Sequence, residues 1–488
     1  MLVAYSPLSG DNFFALKQFL THPIFSILSE TSKKTGIPAY VVGGYVRDCL
    51  LNRESKDIDI VVLGNGIHFA EQAAASISAN LHVSVFKNFG TAMFIYEDLE
   101  IEFVGARKES YRSDSRKPIV ENGSIEDDQI RRDFTMNTLS FSLNAENFGE
   151  LIDPFKGGED LGNKIIKTPQ DANLTFVDDP LRMMRAIRFA SQLNFEIDKN
   201  AWNAIENNYE RIKIISQERI TDELNKIILS PKPSIGFIYL FHSGLLKLIF
   251  PQMVDLFGVE KRDGKGHKDN FYHTLEVLDN ISETTQDLWL RWAAILHDIA
   301  KPATKRFEPE HGWTFHGHED KGARMVPKLF NQLNLPQNDK MKMVQKLVLL
   351  HLRPIVLSQN IVTDSAVRRL LFDAGEDIDG LMLLCHADVT TKNEYKQKKY
   401  RANFELVKQK LIDVEQRDQL RNWQPPVNGA DIMEMFNLNE GKMVGILKNY
   451  LREGILEGTI ENNKLSAIES IKQKGLEMGL IVAKNKIE

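Results

Sequence analysis

Cysteine is nearly absent: only Cys49 and Cys385 occur in 488 residues. Two thiols that far apart make no disulfide framework, so the expectation is a chain that folds in the reducing cytoplasm. Long apolar runs are also missing. No stretch approaches the roughly 20 apolar residues needed to cross a bilayer. The first residues, MLVAYSPLSGD, carry neither a basic region nor a small-residue cleavage site, which adds to the expectation of a cytoplasmic chain without membrane contact. Nor is there a surplus of positive charge: 61 Lys and Arg face 67 Asp and Glu, a net charge of −6. That excludes a protein coated in basic surface, but not a local track of Lys and Arg against phosphates. The chain has neither internal repeats nor low-complexity segments. What remains is ordinary globular composition, 42% hydrophobic and 26% charged, at a length that suggests about three domains.

The most informative stretch is Val41-Val-Gly-Gly-Tyr-Val-Arg-Asp48 followed by Lys56-Asp57-Ile-Asp-Ile-Val-Val62. Gly43 and Gly44 close one apolar run, where backbone N–H groups can approach a triphosphate with no Cβ in the way. Asp57 and Asp59 alternate inside a second apolar run, so as strand residues they share a face. Two carboxylates so placed can hold two hard divalent cations roughly 3.5–4 Å apart, the arrangement that activates an attacking hydroxyl and neutralises departing pyrophosphate.

Around these motifs, residues 11–35 read as a helix, Tyr40–Val42 and Ile58–Leu63 as strands, and Phe69–Ala79 as a helix. Val83–Phe86, Thr91–Tyr96 and Glu100–Val104 read as further strands, and 106–130 as a mobile loop. Strand signals fade after about 166. Leu181–Leu193, Lys199–Tyr209, Gln217–Leu229 and Ser234–Ser243 show helical spacing, a His-bearing helical block runs from 267 to 390, and Trp423–Gly429 reads as a linker before a last helical module.

Arg131-Arg132-Asp133 opens the segment that continues Phe-Thr-Met-Asn137; paired arginines and an acid suit triphosphate and ribose. Asp178-Asp179-Pro-Leu-Arg182 starts a helix with Arg182, Arg185 and Arg188 at three-residue steps. Those features suit either a well-capped helix with a solvated Arg stripe or something sharper. Asp179 and Arg182, three apart, can share a face. Asp offers acceptors and Arg donors. A base that satisfies both presents an amino group beside a ring-nitrogen acceptor, as cytosine and adenine do. Uracil and guanine carry a carbonyl where the amino group is needed.

Together, GGYVRD (43–48) with DID (57–59), RRDFTMN (131–137), DDPLRMMRAIRFA (178–190) and ERITDEL (218–224) resemble the motif set of bacterial class II CCA-adding tRNA nucleotidyltransferases of the poly(A) polymerase superfamily. The resemblance implies Mg²⁺ on Asp57 and Asp59, with Glu102 as a further catalytic acid and Glu100 as its competitor. It implies nucleotide contacts from Gly43, Gly44, Arg47, Asp48, Arg131, Arg132, Asp133, Asn137, Arg185 and Arg188, and base reading by Asp179 and Arg182. Implied partners are tRNA, CTP and ATP, with no obligate protein partner. Where many family members have Glu-Asp, this chain has Asp178-Asp179. Bacterial poly(A) polymerases, the alternative, carry a Gly-Arg-Arg-Phe-type segment where this chain has Val62–Phe69, and a basic tail that is not found here. Enzymes that add only CC or only A use nearly the same motifs.

The histidine block contains His273, His297-Asp298, His318, His351 and Asp388. Imidazoles and carboxylates on separate apolar helices suit a divalent metal. The order His…His-Asp…Asp resembles HD-domain phosphohydrolases, with His318 and His351 matching the extra ligands of two-metal variants. The implied cofactor is Mg²⁺, Mn²⁺ or Ni²⁺, and a hydrolase with an RNA-binding head is a second functional reading. Lys392–Arg421, rich in Lys with Tyr395 and Tyr400 interleaved, suits an RNA-backbone track or a solvated helix equally. The expected architecture is α+β: a small mixed-sheet, polymerase-β-like head (1–165), an all-α neck (166–235), an HD domain (236–390) and a helical tail (391–488).

Overall fold

The computed structural model describes residues 17–87, 90–112, 115–359, 363–391, 393–418 and 423–483. The chain divides into two compact units, Met1–Ile249 and Phe250–Glu488.

The first unit is built on a mixed seven-stranded sheet. Its strands are β1 (Ala39–Val42), β2 (Asp57–Val62), β3 (Ser84–Phe86), β4 (Thr91–Tyr96) and β5 (Leu99–Gly105), joined, beyond a separate pair β6 (Arg107–Arg112) and β7 (Ser115–Asn122), by β8 (Ser140–Ser142) and β9 (Leu151–Ile152). The order across the sheet is β3-β4-β5-β2-β1-β8-β9. Only β2 and β5 run parallel; the other neighbours are antiparallel. Alternation decides the faces. Ile58 and Ile60 of β2 and Ile101 and Phe103 of β5 are buried, which leaves Asp57, Asp59, Glu100 and Glu102 exposed on the opposite face. On the core face Phe103 packs against Phe69 and Phe94, with centroids 6.0 and 5.1 Å apart.

Residues 107–122, expected as a loop, form the antiparallel pair β6–β7. The strand Arg-Lys-Glu-Ser-Tyr-Arg has no alternating apolar face, so the usual sequence signal is missing while the backbone ladder still forms. The first helix spans Pro23–Thr35; residues 11–16 of the expected helix lie outside the described ones.

Helices Ala172–Asp178, Leu181–Leu193, Lys199–Asn208, Gln217–Ile228 and Pro233–His242 complete the first unit. Leu181–Leu193 buries Met183, Met184, Ile187 and Ala190 and turns its arginines to the other side. Asp179 is not on that helix as expected: it ends the preceding helix, and Pro180 caps the next.

The second unit is helical. Asp269, Asp287 and Asn338 accept backbone N–H groups at the starts of helices Asn270–Ser282, Leu288–Leu296 and Asp339–Leu350, each cap contributing about 1 kcal/mol. Two short hairpins, Lys261–Arg262 with Lys265–Gly266 and Arg306–Glu308 with Gly312–Thr314, interrupt the expected all-helical run; strands this short carry no readable period. Trp423, expected in a linker, is instead buried beside Phe372 at a centroid distance of 5.7 Å, and its Nε1 donates to Asn462. Lys392 and Arg421 of the basic stretch lie outside the described residues.

Candidate active site and candidate metal centre

The parallel register pairs Asp57 with Glu100 and Asp59 with Glu102. Adjacent strands are about 4.8 Å apart, so four carboxylates form a two-by-two patch on the exposed face. Asp59 is open to solvent on one side but crowded by protein on the others, and that partial desolvation, then Asp57 and Asp128, raise its pKa against the pull of Arg132. Burial, then Asp59 and Glu100, raise that of Glu102. A patch of mutually repelling carboxylates suits a hard divalent cation.

β1 delivers the glycine turn to this patch, because Val42 pairs with Asp59. Gly43 lies at φ +73°, and a Cβ there would sit 2.7 Å from the Arg132 guanidinium and 3.6 Å from Asp59 Oδ2. Glycine is therefore demanded twice, by dihedral and by space. Helix Gly44–Leu50 follows, and its Arg47 donates to Asn137 Oδ1 (2.9 Å) and forks onto Asp48.

The guanidinium groups are held by three buried acids. Asp128, fully buried, receives Arg131 through one oxygen and Arg132 through the other, the latter at 2.9 Å. Glu223, also buried, receives Arg188 at 2.7 Å and faces Arg185 at 3.9 Å. Asp133 accepts from Phe134 N–H and Asn137 on one oxygen and from Arg185 on the other. Burial opposes its charge, but Arg185 and Asn137 outweigh burial and hold its pKa low. Phe189 stacks beneath the cluster, 4.2 Å from the Arg188 guanidinium carbon and 5.0 Å from that of Arg47.

These groups enclose an open cavity of about 730 Å³ whose lining includes Gly43, Gly44, Asp59, Glu102, Asp179 and Arg182. Asp57, Asp48 and Glu100 are not part of that lining. Asp179 accepts from Leu181 N–H on one oxygen (3.2 Å) and from Arg219 on the other (3.2 Å), while Arg182 donates to the Arg131 carbonyl (2.7 Å).

In the second unit six side chains converge. His273, His297 and Asp388 form one potential ligand group, and Asp298, His318 and His351 another. Asp298 links them. Its Oδ2 lies 3.5 Å from His273 Nε2 and 3.2 Å from His297 Nε2; its Oδ1 lies 3.2 Å from His318 Nε2 and 3.9 Å from His351 Nε2. The Nδ1 atoms of His297, His318 and His351 pair with the carbonyls of Ala294, Phe315 and Val348 at 2.7–2.8 Å. Each ring is thereby oriented with Nε2 inward, the usual second-layer device of metal sites. Burial disfavours charge on His297, but Asp298 overcomes it and raises the pKa to about 10; burial and the His297 charge push His351 down to about 4. Buried His297 Nε2 makes no hydrogen bond. An inward ring nitrogen without a hydrogen bond, beside two carboxylates, fits a bound divalent metal. Among the described residues only these two groups draw three ligands within 4.8 Å of one another; the head carboxylates do not.

Three family models match stretches of the chain. The chain matches the poly A polymerase head domain over 39–167, the probable RNA and SrmB-binding site of polymerase A over 194–256, and the HD domain over 270–393. A multifunctional CCA protein of Nitrosococcus oceani is 32% identical over 306 residues, 61% of this chain and 70% of that protein. The chain belongs to the tRNA nucleotidyltransferase family. An A-adding tRNA nucleotidyltransferase of Geobacter sulfurreducens is 38% identical over 245 residues, 49% of this chain; the match spans only about a quarter of that relative's length (27%). The solved complex of a CCA-adding enzyme with ATP shares the fold, with a TM-score of 0.61 and 22% identity, covering 95% of this chain and 98% of that one.

For this family member, sequence reasoning missed Asp128 and, as named site residues within the quoted motifs, Phe189, Arg219 and Glu223. The signal for Asp128 was its placement three and four residues before Arg131 and Arg132. Asp128→Asn is expected to cost about 2–3 kcal/mol of stability by leaving guanidinium groups underpaired, and to raise the nucleotide KM. Chemical unfolding and steady-state kinetics check this; a change under about 0.5 kcal/mol, ordinary for a surface site, would show that Asp128 does not hold the pair.

Proposed function

We propose that the protein adds C, C and A to the 3′ end of tRNA from CTP and ATP without a nucleic-acid template. The observation that carries the reading is one cavity bordered both by Asp59 and Glu102 and by Asp179 and Arg182. Acids for transfer and a donor–acceptor pair for the base face the same space. Mg²⁺ held by Asp57 and Asp59, with Glu102, would supply activation of the tRNA 3′ hydroxyl and charge neutralisation at pyrophosphate. Arg131 and Arg132 offer donors to the triphosphate, and the Gly43–Gly44 turn lets it approach. Asp179 accepts from the amino group of cytosine or adenine, and Arg182 donates to the neighbouring ring nitrogen. Phe189 and Glu223 keep the arginines in place. The proposal extends to a cytoplasmic setting and to a second, metal-dependent phosphohydrolase at the HD centre, with Mg²⁺, Mn²⁺ or Ni²⁺ on His273, His297, Asp298, His318, His351 and Asp388.

Purified protein is to be incubated with each labelled NTP and with tRNA ending either at the residue before CCA or at CC. Extension of both ends, with CTP and then ATP, supports full CCA addition. Extension of only the CC end supports A-only addition, the activity in the name of the Geobacter relative. Extension of neither sinks the proposal.

Arg182→Ala is expected to erode selection against UTP and GTP by roughly ten- to hundredfold, since an unpaired buried group costs about 1–3 kcal/mol. Comparing kcat/KM for the four nucleotides checks it, and a variant that stays fully selective would show that other groups read the base.

A further inference from the structure

Asp179 reads the base in the proposed reaction, yet its place in the chain does not fix its carboxylate. It follows helix Ala172–Asp178 in an extended conformation, φ −136° and ψ 99°, and Pro180 begins the next helix. Its side chain therefore stands outside the rigid spacing of either helix. Two donors hold it, one on each oxygen: Leu181 N–H and an Arg219 Nη, both at 3.2 Å. Among the described residues, Arg219 is the one side chain hydrogen-bonded to this carboxylate.

Stability does not explain the contact. The Arg219 side chain is 53% exposed and that of Asp179 31%, and ion pairs this open add little to folding. Arg219 does line the same cavity as Asp179 and Arg182. It stands on helix Gln217–Ile228, anchored by buried Ile220, Leu224, Ile227 and Ile228. One turn further along, Glu223 of that helix receives Arg188. A single anchored helix thus reaches the base-reading acid with one residue and the arginine cluster with another. Arg182, the other half of the reading pair, is aimed by its bond to the Arg131 carbonyl at 2.7 Å. A carboxylate has about four acceptor positions. One hydrogen bond on each oxygen leaves capacity on both for an amino group, in a plane that Leu181 N–H and Arg219 set together.

We infer that Arg219 is a specificity-determining positioning residue. It touches neither the base nor the reacting atoms, and acts by holding Asp179 in the plane where the amino group of cytosine or adenine finds an acceptor. The inference rests on the base-reading role proposed for Asp179 and deepens it. Without Arg219 the carboxylate keeps one tether and turns about its Cβ–Cγ bond. It then offers the amino group a poorly aimed acceptor, so cytosine and adenine lose their advantage over uracil and guanine. The competing role for a cation in this wall is a direct bond to the triphosphate, which all four nucleotides carry alike.

Full-length wild type, Arg219→Ala, Arg219→Lys, Asp179→Ala and the Arg219→Ala, Asp179→Ala double variant are to be compared with Mg²⁺ and tRNA ending before CCA or at CC. The readout is kcat and KM for each of the four NTPs, with chemical unfolding alongside. Arg219→Ala is expected to lower the preference for CTP and ATP over UTP and GTP roughly three- to tenfold, the span of one net hydrogen bond, and to leave the unfolding midpoint as it was. Arg219→Lys, which keeps a donor on that side, should recover part of the preference. Because Arg219 acts through Asp179, the double variant should be as selective as Asp179→Ala alone. An equal rise in KM for all four nucleotides with the preference unchanged would make Arg219 a phosphate contact and overturns the proposal. Additive loss in the double variant overturns it too, as does loss of fold in Arg219→Ala, which would make the residue structural. If Asp179→Ala erodes the preference and Arg219→Ala does not, this inference alone fails. If Asp179→Ala stays selective, or the wild type has no preference, base reading by Asp179 fails and this inference with it.

Discussion

Asp59→Asn is expected to reduce CTP and ATP incorporation at least about a thousandfold, the loss of roughly 4 kcal/mol of cation-borne charge stabilisation. Asp59 is the acid to test first because it sits where three things meet: the glycine turn, Glu102 on the neighbouring strand, and the cavity wall. Asp57 shares its face one pleat away but lies outside the cavity lining. Asp57→Asn is therefore the more informative partner. An equal loss means that both carboxylates are needed for the cation, and a milder one means that Asp59 with Glu102 dominates. Labelled-nucleotide incorporation with Mg²⁺ measures both, with tRNA binding and circular dichroism as controls. Near-normal incorporation by both variants would remove the head acids from the reaction.

Asp298→Ala is expected to strip metal from the second unit, with affinity falling more than about a hundredfold, since even groups behind the ligands are worth ten- to a hundredfold. The reason is geometric. Asp298 alone faces both ligand groups, one oxygen to each. Its loss also leaves Lys301, 2.6 Å from Oδ2, without that counter-charge. Elemental analysis after gel filtration should show bound metal lost, any phosphohydrolase activity should go with it, and nucleotide incorporation should persist because the transfer residues lie in the first unit. Retained metal would mean that the remaining five ligands suffice. Lost incorporation in a folded variant would mean that the two sites are coupled.

What the sequence could show follows from range. The Asp57-x-Asp59 pair was readable because strand alternation is a property of adjacent residues. The choice between Glu100 and Glu102 was not, because the two alternate in the same way on their own strand. It took the β2–β5 register, a contact across some 43 positions, to set Glu102 beside Asp59. Asp128 stayed hidden because an acid in a first helical turn already has an ordinary explanation in capping. Asp179 was readable as a partner of Arg182, yet its seat was misjudged. Pro180 separates it from the helix, so its carboxylate is oriented by Leu181 N–H and Arg219 rather than by helical spacing. The β6–β7 pair escaped because its sequence carries no apolar period. Lys268 carries no motif, and Tyr400 was readable only as an aromatic in a Lys-rich stretch; only folding brings them to the same cavity of the second unit.

The two-by-two acid patch has a consequence for how firmly the head holds together. Strand pairing forces Asp57, Asp59, Glu100 and Glu102 into register, so closing the sheet means confining like charges that the unfolded chain keeps apart in water. Part of the folding free energy is thus held back as repulsion at the place where a cation is wanted, a stability–activity trade built into the ladder itself. Neutralising one acid and admitting a cation relieve the same strain by different routes. The catalytically dead head, without cation, is on this account the more stable one.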